Sequence, residues 1–355
     1  MEELIDKTAK VREGEELPAE TIRDYLKEHI PDLEGDIEIE QFPSGHSNLT
    51  YLVRIGDREM VLRRPPFGSH VKTAHDMGRE YRILSGLYPV FPRVPRPLVF
   101  CEDESVIGAR FYVMERLRGI ILRRKVPEGM EIPPETASKL CESFVQTLAE
   151  IHAVDYEAAG LADLGKPKGY LYRQVHGWSE RYYGSQTDDI EGVDRVISWL
   201  QDNLPESPEP VLVQNDYKYD NLVLAPDDIT RIIGVLDWEM STIGDPLTDL
   251  GGSLGYWVEA DDPDELQALA FGPTMIPGSW TRKQIAERYA ELTGRDVSNI
   301  HYYTVFATFK IMVIIQQIYY RYAKGLTKDE RFAPLIEGVK ILNRTSNTLI
   351  DQGHI

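Results

Sequence analysis

The hydrophobic period of this chain changes once along its length, and this change constrains the fold more than any other feature. Apolar residues alternate with other residues over 37–39, 51–55 and 60–62. Alternation is typical of strands, whose successive side chains point to opposite faces of a sheet. After Gly119 most apolar residues recur at helical spacing, most clearly over 134–153. The pattern predicts an α+β protein with a β-rich beginning and a mostly helical remainder.

The length of 355 residues favours one large domain or two coupled domains. Composition shifts near residue 117, which predicts a small N-terminal lobe over 1–117 and a larger helical lobe over 118–355. Within the first lobe, helices are predicted over 18–30 and 74–86, together with an antiparallel sheet.

The charge and the cysteine content argue against several kinds of partner. The chain carries 39 Lys and Arg against 58 Asp and Glu, which gives a formal net charge of −19. Such a surface repels nucleic acid and anionic lipid, and no long basic cluster offsets it. Two cysteines outside any CxxC spacing argue against a disulfide framework and against a cysteine metal site. A reducing cytoplasm is the predicted location.

The most apolar late stretch, 305–320, predicts a buried helix. Lys310, Gln316 and Gln317 interrupt this stretch, whereas a spanning helix needs about 20 mostly apolar residues. The N-terminus lacks the apolar core of a signal peptide. We therefore expect no membrane partner.

Acidic and amide side chains concentrate around short apolar strands in the second half of the chain. The segment 214–221 is Gln-Asn-Asp-Tyr-Lys-Tyr-Asp-Asn, and Asp237 follows the strand-like segment 232–236. The pattern predicts a strand that leads to Asp216, a tight polar loop, and a next strand opened by Asn221. We expect the three side chains to converge at one end of a small hairpin.

Phosphoryl transfer needs this set of groups. Magnesium takes oxygen ligands and brings few protein groups to phosphates, and an attacking hydroxyl needs a carboxylate within hydrogen-bond reach. Asp216 is the predicted hydroxyl-orienting base, and Asn221 and Asp237 are the predicted Mg²⁺ ligands. Lys218 would supply positive charge near the transferred phosphate. Kinases in general have a catalytic Asp, then an Asn, then a metal-binding Asp in this order.

At this point the sequence resembles a known family. Six segments carry the resemblance, in order: FPSGHSNLTYLV, MVLRRPP, GREYRIL, FYVMERLRG, VLVQNDYKYDNLVL and IGVLDWEMSTIGDPLTDLG. They are similar to the aminoglycoside phosphotransferase and choline kinase group of the protein-kinase-like superfamily, and most similar to the kinase-like domain associated with some acyl-CoA dehydrogenases. The resemblance spans about residues 36–260 and implies a protein-kinase-like two-lobed fold.

The resemblance also implies roles for individual residues. ATP binding is implied for three parts of the chain. The phosphate loop comprises Gly45, His46, Ser47 and Asn48, and the strand cation Arg63 has Glu80 as its helix partner. The linker that meets adenine comprises Met114, Glu115 and Leu117. Asp249 resembles a structural carboxylate that braces the catalytic loop. The region after residue 160 would hold the phosphate acceptor. ATP and Mg²⁺ are the implied cofactors.

The chain departs from the family pattern at two places. Gln214-Asn215 replaces the usual His-Gly before the catalytic Asp. That histidine is mainly an architectural hydrogen-bonder, and because glutamine can make part of the same bonding, Gln214 is predicted to give structural support. Arg63 replaces the strand lysine, and although its planar fork differs from a point charge, it still binds phosphate and can pair with Glu80.

Ordinary structural roles remain open for several of these residues. Asp and Asn are common at strand ends, so each member of the catalytic set taken alone suits a turn. The segment 45–48 suits a hairpin turn, Arg63 suits a solvated strand edge, and Glu80 suits a helix surface. His152 is expected to be a capping or a core histidine. Tyr302, Tyr303, Phe306 and Phe309 could line an acceptor pocket, but an aromatic stripe at helical spacing favours the core.

The sequence therefore predicts an ATP-dependent phosphotransferase that acts on a hydroxyl of a small molecule. The closer resemblance suggests a hydroxyacyl thioester as the acceptor, and an aminoglycoside is the alternative. The rival interpretation is a catalytically weak pseudokinase that binds nucleotide as a regulatory module. A protein kinase is disfavoured, because Gly244-Asp245-Pro246 follows Asp237 so closely that no long activation loop fits.

Overall fold

A computed structural model describes residues 4–43, 48–67 and 76–355 of the chain. Internal contacts separate the chain into two compact units. The first comprises Met1–Ile121, Glu157–Leu161 and Leu222–Glu239, and the second comprises Leu122–Tyr156, Ala162–Asn221 and Met240–Ile355. The division into functional lobes at residue 117 stays a prediction.

A five-stranded antiparallel sheet forms the framework of the first unit. Its strands are β1 (Ile37–Gln41), β2 (Leu49–Ile55), β3 (Arg58–Arg64), β4 (Pro97–Cys101) and β5 (Phe111–Glu115). Their order across the sheet is β1-β2-β3-β5-β4. Two helices accompany the sheet, α1 (Ala19–His29) and α2 (Met77–Leu87). Both the alternating strands and the helix over 18–30 agree with the sequence prediction.

One apolar core joins α1 to one face of this sheet. Ile22 and Leu26 lie one turn apart on α1 and are fully buried. They belong to the same cluster as Tyr51, Val53 and Ile55, which are alternate residues of β2. Because alternate strand positions face the same side, this cluster accounts for the period of two in the sequence.

Four short strands bracket the predicted catalytic residues: β6 (Val211–Val213), β7 (Leu222–Leu224), β8 (Ile232–Val235) and β9 (Thr242–Gly244). In the first unit β7 pairs with β8, and in the second β6 pairs with β9, both antiparallel. A turn of 3₁₀ helix, Tyr219–Asn221, precedes β7. Asp216 therefore follows β6 by three residues, and Asp237 follows β8 by two.

Helices make up most of the second unit: α3 (Pro134–His152), α4 (Tyr170–Ser185), α5 (Val193–Asp202), α6 (Pro246–Tyr256), α7 (Asp264–Leu269), α8 (Arg282–Thr293), α9 (Ile300–Ala323) and α10 (Leu335–Gln352). The apolar face predicted over 134–153 is the buried face of α3. The aromatic side chains of 302–309 are buried on α9, as expected of core residues. Within the described part of the chain, no helix combines the length and the apolar character needed to cross a bilayer.

A close approach of α6 to α9 depends on Gly251. A Cβ at this position would lie 2.6 Å from the Cβ of Tyr303 and 2.7 Å from its carbonyl oxygen. Since a helix backbone cannot move aside as a flexible side-chain end can, a side chain at 251 would force the two helices apart. At the next residue, Gly252, a Cβ would meet no atom within 4 Å.

We expect Gly251→Ala to lower the free energy of unfolding by about 1–3 kcal/mol, which is the usual cost of overpacking. The matched variant Gly252→Ala should raise it by about 0.5–1 kcal/mol, because alanine favours the helix. Chemical denaturation of both variants measures the two changes. Changes of the same sign and size would show that helix propensity, rather than interhelical distance, governs this contact.

Candidate active site

The predicted catalytic loop leaves β6 through an uncommon backbone conformation. Asn215 has a φ of 71°, in the left-handed region that few non-glycine residues occupy. Its side-chain amide donates to the carbonyl oxygen of Met240 at 3.0 Å, and its Oδ1 accepts the hydroxyl of Tyr170 at 3.1 Å. Contacts at both ends of this side chain thus hold the turn that presents Asp216.

Asp249, on α6, binds the backbone of this loop. Its two oxygens accept the N–H groups of Gln214 and Asn215, both at 2.6 Å. His152 Nε2 lies 3.2 Å from Asp249 Oδ2, and His152 Nδ1 lies 2.6 Å from the hydroxyl of Tyr289. A carboxylate that is 1% exposed needs such donors, because an isolated buried charge is costly. These contacts are those expected of a brace. Of the two roles left open for His152, capping or core, its burial supports the core role.

Three groups hold Asp216 itself. Lys218 Nζ donates to its two carboxylate oxygens at 2.8 and 2.7 Å. Asn221 Nδ2 donates to Asp216 Oδ2 and to the Asp216 carbonyl oxygen, both at 2.9 Å. Gln214 Oε1 accepts the Asp216 N–H at 2.6 Å. The side chain of Asp216 is 20% exposed, so its carboxylate is fixed in direction and still reachable from solvent.

In the first unit, Arg63 on β3 and Glu80 on α2 form the ion pair that the sequence predicts. Arg63 Nη1 donates to Glu80 Oε1, and the side chains are only 9% and 2% exposed. Burial opposes the charge on Arg63 and is the largest single influence, but the combined attraction of Glu80, Asp237 and Glu239, together with that of Tyr112, raises the pKa of Arg63 well above its usual value. Burial also raises the pKa of Tyr112, which faces Arg63 across β3 and β5. The solvated-surface alternative is therefore wrong for both members of the pair.

Asp237 and Glu239 extend this charged group. Asp237 has a φ of 61°, and its Oδ1 lies 3.7 Å from Arg63 Nη2. Glu239 accepts the side-chain amide of Asn48 at 2.7 Å and lies 3.9 Å from Arg63 Nη2. The Glu239 carbonyl oxygen accepts Arg79 Nη1 at 3.0 Å. Asn48, the last position of the predicted phosphate loop, is thus tied to the segment that carries Asp237.

The other predicted loop positions, Gly45, His46 and Ser47, lie outside the described residues. Among the residues that are described, no group of three or more His, Cys, Asp or Glu side chains has the arrangement of a metal centre. Magnesium commonly uses only one or two carboxylates together with substrate phosphates. The predicted ligands, one amide and one carboxylate from Asn221 and Asp237, are therefore too few to count as a group of three, and their role as metal ligands stays a prediction.

The predicted adenine linker begins at the end of β5. Met114 and Glu115 are the last residues of that strand, and the Glu115 N–H donates to the carbonyl oxygen of Arg96 at 2.8 Å. Leu117 packs against Gly234 of β8, where a Cβ would come within 2.2 Å of Leu117 Cδ1. The linker is therefore held in place by packing, and its contact with a nucleotide stays a prediction.

Sequence reasoning missed the placement of Tyr112, Glu239 and Lys310. Tyr112 faces Arg63 only because β5 pairs with β3, and pairing of strands that are not consecutive has no local signal. Glu239 did have a local signal in the sequence, since it follows the predicted metal ligand Asp237 by two residues. Lys310 had such a signal as well, because it is the only charged residue in the apolar stretch 305–320.

A family model described as the phosphotransferase enzyme family matches residues 38–287, which is more than half of the chain. Curated relatives were found by sequence. Acyl-CoA dehydrogenase family member 11 of Rattus norvegicus is 34% identical over 366 residues, which cover 97% of this chain and 46% of that protein. Member 10 of Mus musculus is 34% identical over 324 residues, which cover 90% of this chain and 30% of that protein. The chain spans less than half the length of these two relatives.

Another relative is similar over most of its own length. Viomycin phosphotransferase of Streptomyces vinaceus is 26% identical over 289 residues, which cover 78% of this chain and 89% of that protein.

Solved structures share the fold. A protein from Ralstonia eutropha JMP134, described as a candidate aminoglycoside phosphotransferase, has a TM-score of 0.80 at 28% identity over 95% of this chain and 99% of its own. Choline kinase from Cryptosporidium parvum has a TM-score of 0.64 at 16% identity over 94% of this chain and 97% of its own. An aminoglycoside phosphotransferase in a ternary complex with ADP and hygromycin B has a TM-score of 0.55 at 15% identity over 92% of this chain and 98% of its own. The last two show the fold alone.

The predicted α+β, protein-kinase-like fold is confirmed by these structures, with its antiparallel sheet in the first unit and its helices mainly in the second. The resemblance stated from six sequence segments is confirmed by the family model, whose match includes both Asp216 and Asp237. This chain belongs to the phosphotransferase enzyme family.

Proposed function

We propose that this protein transfers the γ-phosphate of ATP to a hydroxyl group of a small molecule. Family membership supports an activity of this kind. The observation that carries the proposal is the set of hydrogen bonds that fixes the Asp216 carboxylate, from Lys218 and Asn221. A carboxylate oriented in advance can accept a hydrogen bond from an incoming hydroxyl without reorganisation.

Asp216 would act on the acceptor. Its carboxylate orients the acceptor hydroxyl and accepts the proton as the hydroxyl oxygen bonds to the γ-phosphorus. The bond from that phosphorus to the bridging oxygen breaks, and ADP leaves with the electron pair. Lys218 favours the charged form of Asp216 and offsets negative charge near the transferred group.

The two proposed metal ligands fit Mg²⁺. Asn221 uses its amide nitrogen on Asp216, which leaves its amide oxygen as the donor for a cation. Asp237 offers carboxylate oxygens on a backbone held in the left-handed conformation. Both supply the oxygen ligands that Mg²⁺ prefers. Bound Mg²⁺ would neutralise charge that develops on the phosphates.

Nucleotide binding is assigned to the first lobe, 1–117, and acceptor binding to the second, 118–355. In the first lobe Arg63, kept charged and oriented by Glu80, would contact the phosphates. The loop 45–48 would cover them, and the linker 114–117 would meet adenine. A protein of the same fold crystallised with ADP supports a nucleotide site.

We infer a hydroxyacyl thioester as the first candidate acceptor. The 34% identity to acyl-CoA dehydrogenase family members 10 and 11 supports it, although those names describe much longer proteins. The alternative is an aminoglycoside-like acceptor, supported by the similarity to viomycin phosphotransferase. Cys101 and Cys141, both buried and unbridged, support a reducing, cytoplasmic location.

We expect Asp216→Asn to lower kcat by about 10²–10⁴-fold, the usual contribution of a positioned base, and to leave ATP affinity nearly unchanged. The matched control is Asp220→Asn. Asp220 lies in the same loop and pairs with Arg123 at 2.9 Å, so its loss should leave turnover intact. ADP release measures turnover, and calorimetry measures nucleotide affinity.

The acceptor panel for this assay contains hydroxylated metabolites, hydroxyacyl-CoA thioesters and aminoglycosides. Turnover at the wild-type rate in Asp216→Asn would refute the role of the carboxylate. Nucleotide binding by the unaltered protein without Mg²⁺-dependent turnover of any acceptor would favour the regulatory module instead.

We expect Asp249→Asn to speed amide hydrogen exchange at Gln214 and Asn215 by about tenfold or more. An amide nitrogen would then face one of these two N–H groups and leave it without an acceptor, which costs about 1–3 kcal/mol. Turnover should fall as well, because the loop loses its geometry.

Asp245→Asn is the control for this variant. Asp245 caps the same helix, accepting the Leu247 N–H at 2.9 Å and the Tyr303 hydroxyl at 2.7 Å. These contacts, unlike those of Asp249, do not involve the backbone of Gln214 or Asn215. Asp245→Asn should change the free energy of unfolding without selectively speeding amide hydrogen exchange at residues 214–215. Equal exchange in both variants would show that Asp249 acts only through the stability of α6.

A further inference from the structure

Three cations lie beside the predicted catalytic loop within the second unit. Lys310 Nζ, on α9, donates to the carbonyl oxygen of Asn215 at 3.1 Å and lies 5.7 Å from the centroid of the Trp178 ring. Arg181 lies one turn beyond Trp178 on α4, with its guanidinium 4.7 Å from the same ring. Lys218 lies within the loop itself. These residues, Lys218, Lys310 and Arg181, are called the cation cluster below.

Two members of the cation cluster make no direct ion pair among the described residues. Lys218 pairs with Asp216, but neither Lys310 nor Arg181 forms an ion pair with any residue in the described part of the chain. Lys310 differs from a solvated surface cation because its side chain is partly buried and its ammonium is held against a backbone carbonyl and an indole ring. Arg181 is the exposed member of the cation cluster.

The nearby acids are already engaged. Asp216 is held by Lys218 and Asn221, and Asp249 accepts backbone N–H groups. Burial lowers the pKa of Lys310 against the attraction of these two acids. Keeping an ammonium in such a place costs free energy unless an anion joins it.

We propose that the phosphate acceptor carries an anionic oxygen group, a carboxylate or a phosphate, which binds Lys310 and Arg181 beside Trp178. This rests on the proposed function, in which Asp216 takes the acceptor hydroxyl. An ammonium has three donors, of which the Asn215 carbonyl uses one. A guanidinium binds carboxylate or phosphate through two parallel hydrogen bonds.

The cation cluster separates the two acceptor classes left by the proposed function. An aminoglycoside is polycationic, and placing its ammonium groups beside Lys310 and Arg181 would bring like charges together at a cost. An anionic hydroxylated acceptor instead completes the charge balance of the loop. The geometry therefore favours an acceptor that carries both a hydroxyl and an anionic oxygen group over an aminoglycoside. Such acceptors include a hydroxy acid, a hydroxyacyl thioester that bears a carboxylate or phosphate, and a phosphorylated alcohol.

The test is the binding of inorganic phosphate, and separately of acetate, to the full chain, measured by calorimetry without nucleotide. Lys310→Met should weaken the tighter of the two by about tenfold or more, the usual effect of losing a charged hydrogen bond. Lys310→Arg, which keeps the charge, should retain most of the affinity. Tighter phosphate binding identifies a phosphorylated acceptor, and tighter acetate binding identifies a carboxylate.

Lys324→Met is the matched control. Lys324 follows the last residue of α9, and its ammonium lies 5.7 Å from the ring of Tyr320, the same ring distance as at Lys310. Its side chain is exposed, and its loss should leave anion affinity unchanged. A purely structural Lys310 would change stability in Lys310→Met without this selective loss of anion binding.

Three results would overturn the proposal: neither anion binds, Lys310→Met binds them as the wild type does, or kanamycin binds more tightly than both. If phosphate binds elsewhere on the chain and not at Lys310, Lys310→Met will bind it as tightly as the wild type does. Because the assay contains neither nucleotide nor turnover, its outcome is separate from that of the proposed phosphotransfer. Asp216→Asn should lose turnover and keep anion binding, since it removes a negative charge beside the cation cluster.

Discussion

The geometry of the catalytic loop depends on one buried carboxylate. Asp249 accepts two consecutive backbone N–H groups and so fixes the left-handed turn at Asn215 that directs Asp216. Asp249 can do this only because α6 stands at the right distance, and that distance depends on Gly251 against α9. A residue without a side chain, more than thirty positions from the loop in sequence, thus sets the direction of the proposed base.

The arginine on β3 changes the electrostatics of the first unit in a way that a lysine would not. A guanidinium has two terminal nitrogens in a fixed plane. In Arg63 one of them binds Glu80, while the other lies 3.7 Å from Asp237 and 3.9 Å from Glu239. A single ammonium is a point charge and cannot serve both sides with the same geometry. In this chain the second terminal nitrogen of Arg63 therefore has two carboxylates near it, those of Asp237 and Glu239.

What could be predicted from the sequence is what local patterns encode. Alternation predicted the strands of the first unit, helical spacing predicted α3, and the short segment 214–221 predicted that Lys218 and Asn221 would lie near Asp216. The predicted convergence of Asp237 with these residues stays a prediction. Contacts that depend on which elements pack together were not predicted. Tyr112 reaches Arg63 through strand order, and Lys310 reaches Asn215 from 95 residues away. The left-handed φ of Asp237 has no signal either, because aspartate adopts many conformations.

The formal charge of −19 and the cation cluster are compatible, because they act over different distances. At physiological salt the field of exposed charges is screened beyond about 8 Å, so the acidic surface opposes extended polyanions more than a small anion that has reached the loop. At the loop, the partial burial of Lys310 reduces the screening of its charge. Lys310 stands on α9, the helix that also sets the position of α6 through Gly251. One helix therefore connects the place where an acceptor anion would bind to the brace that orients the base, so that charge recognition and loop geometry share a single rigid element.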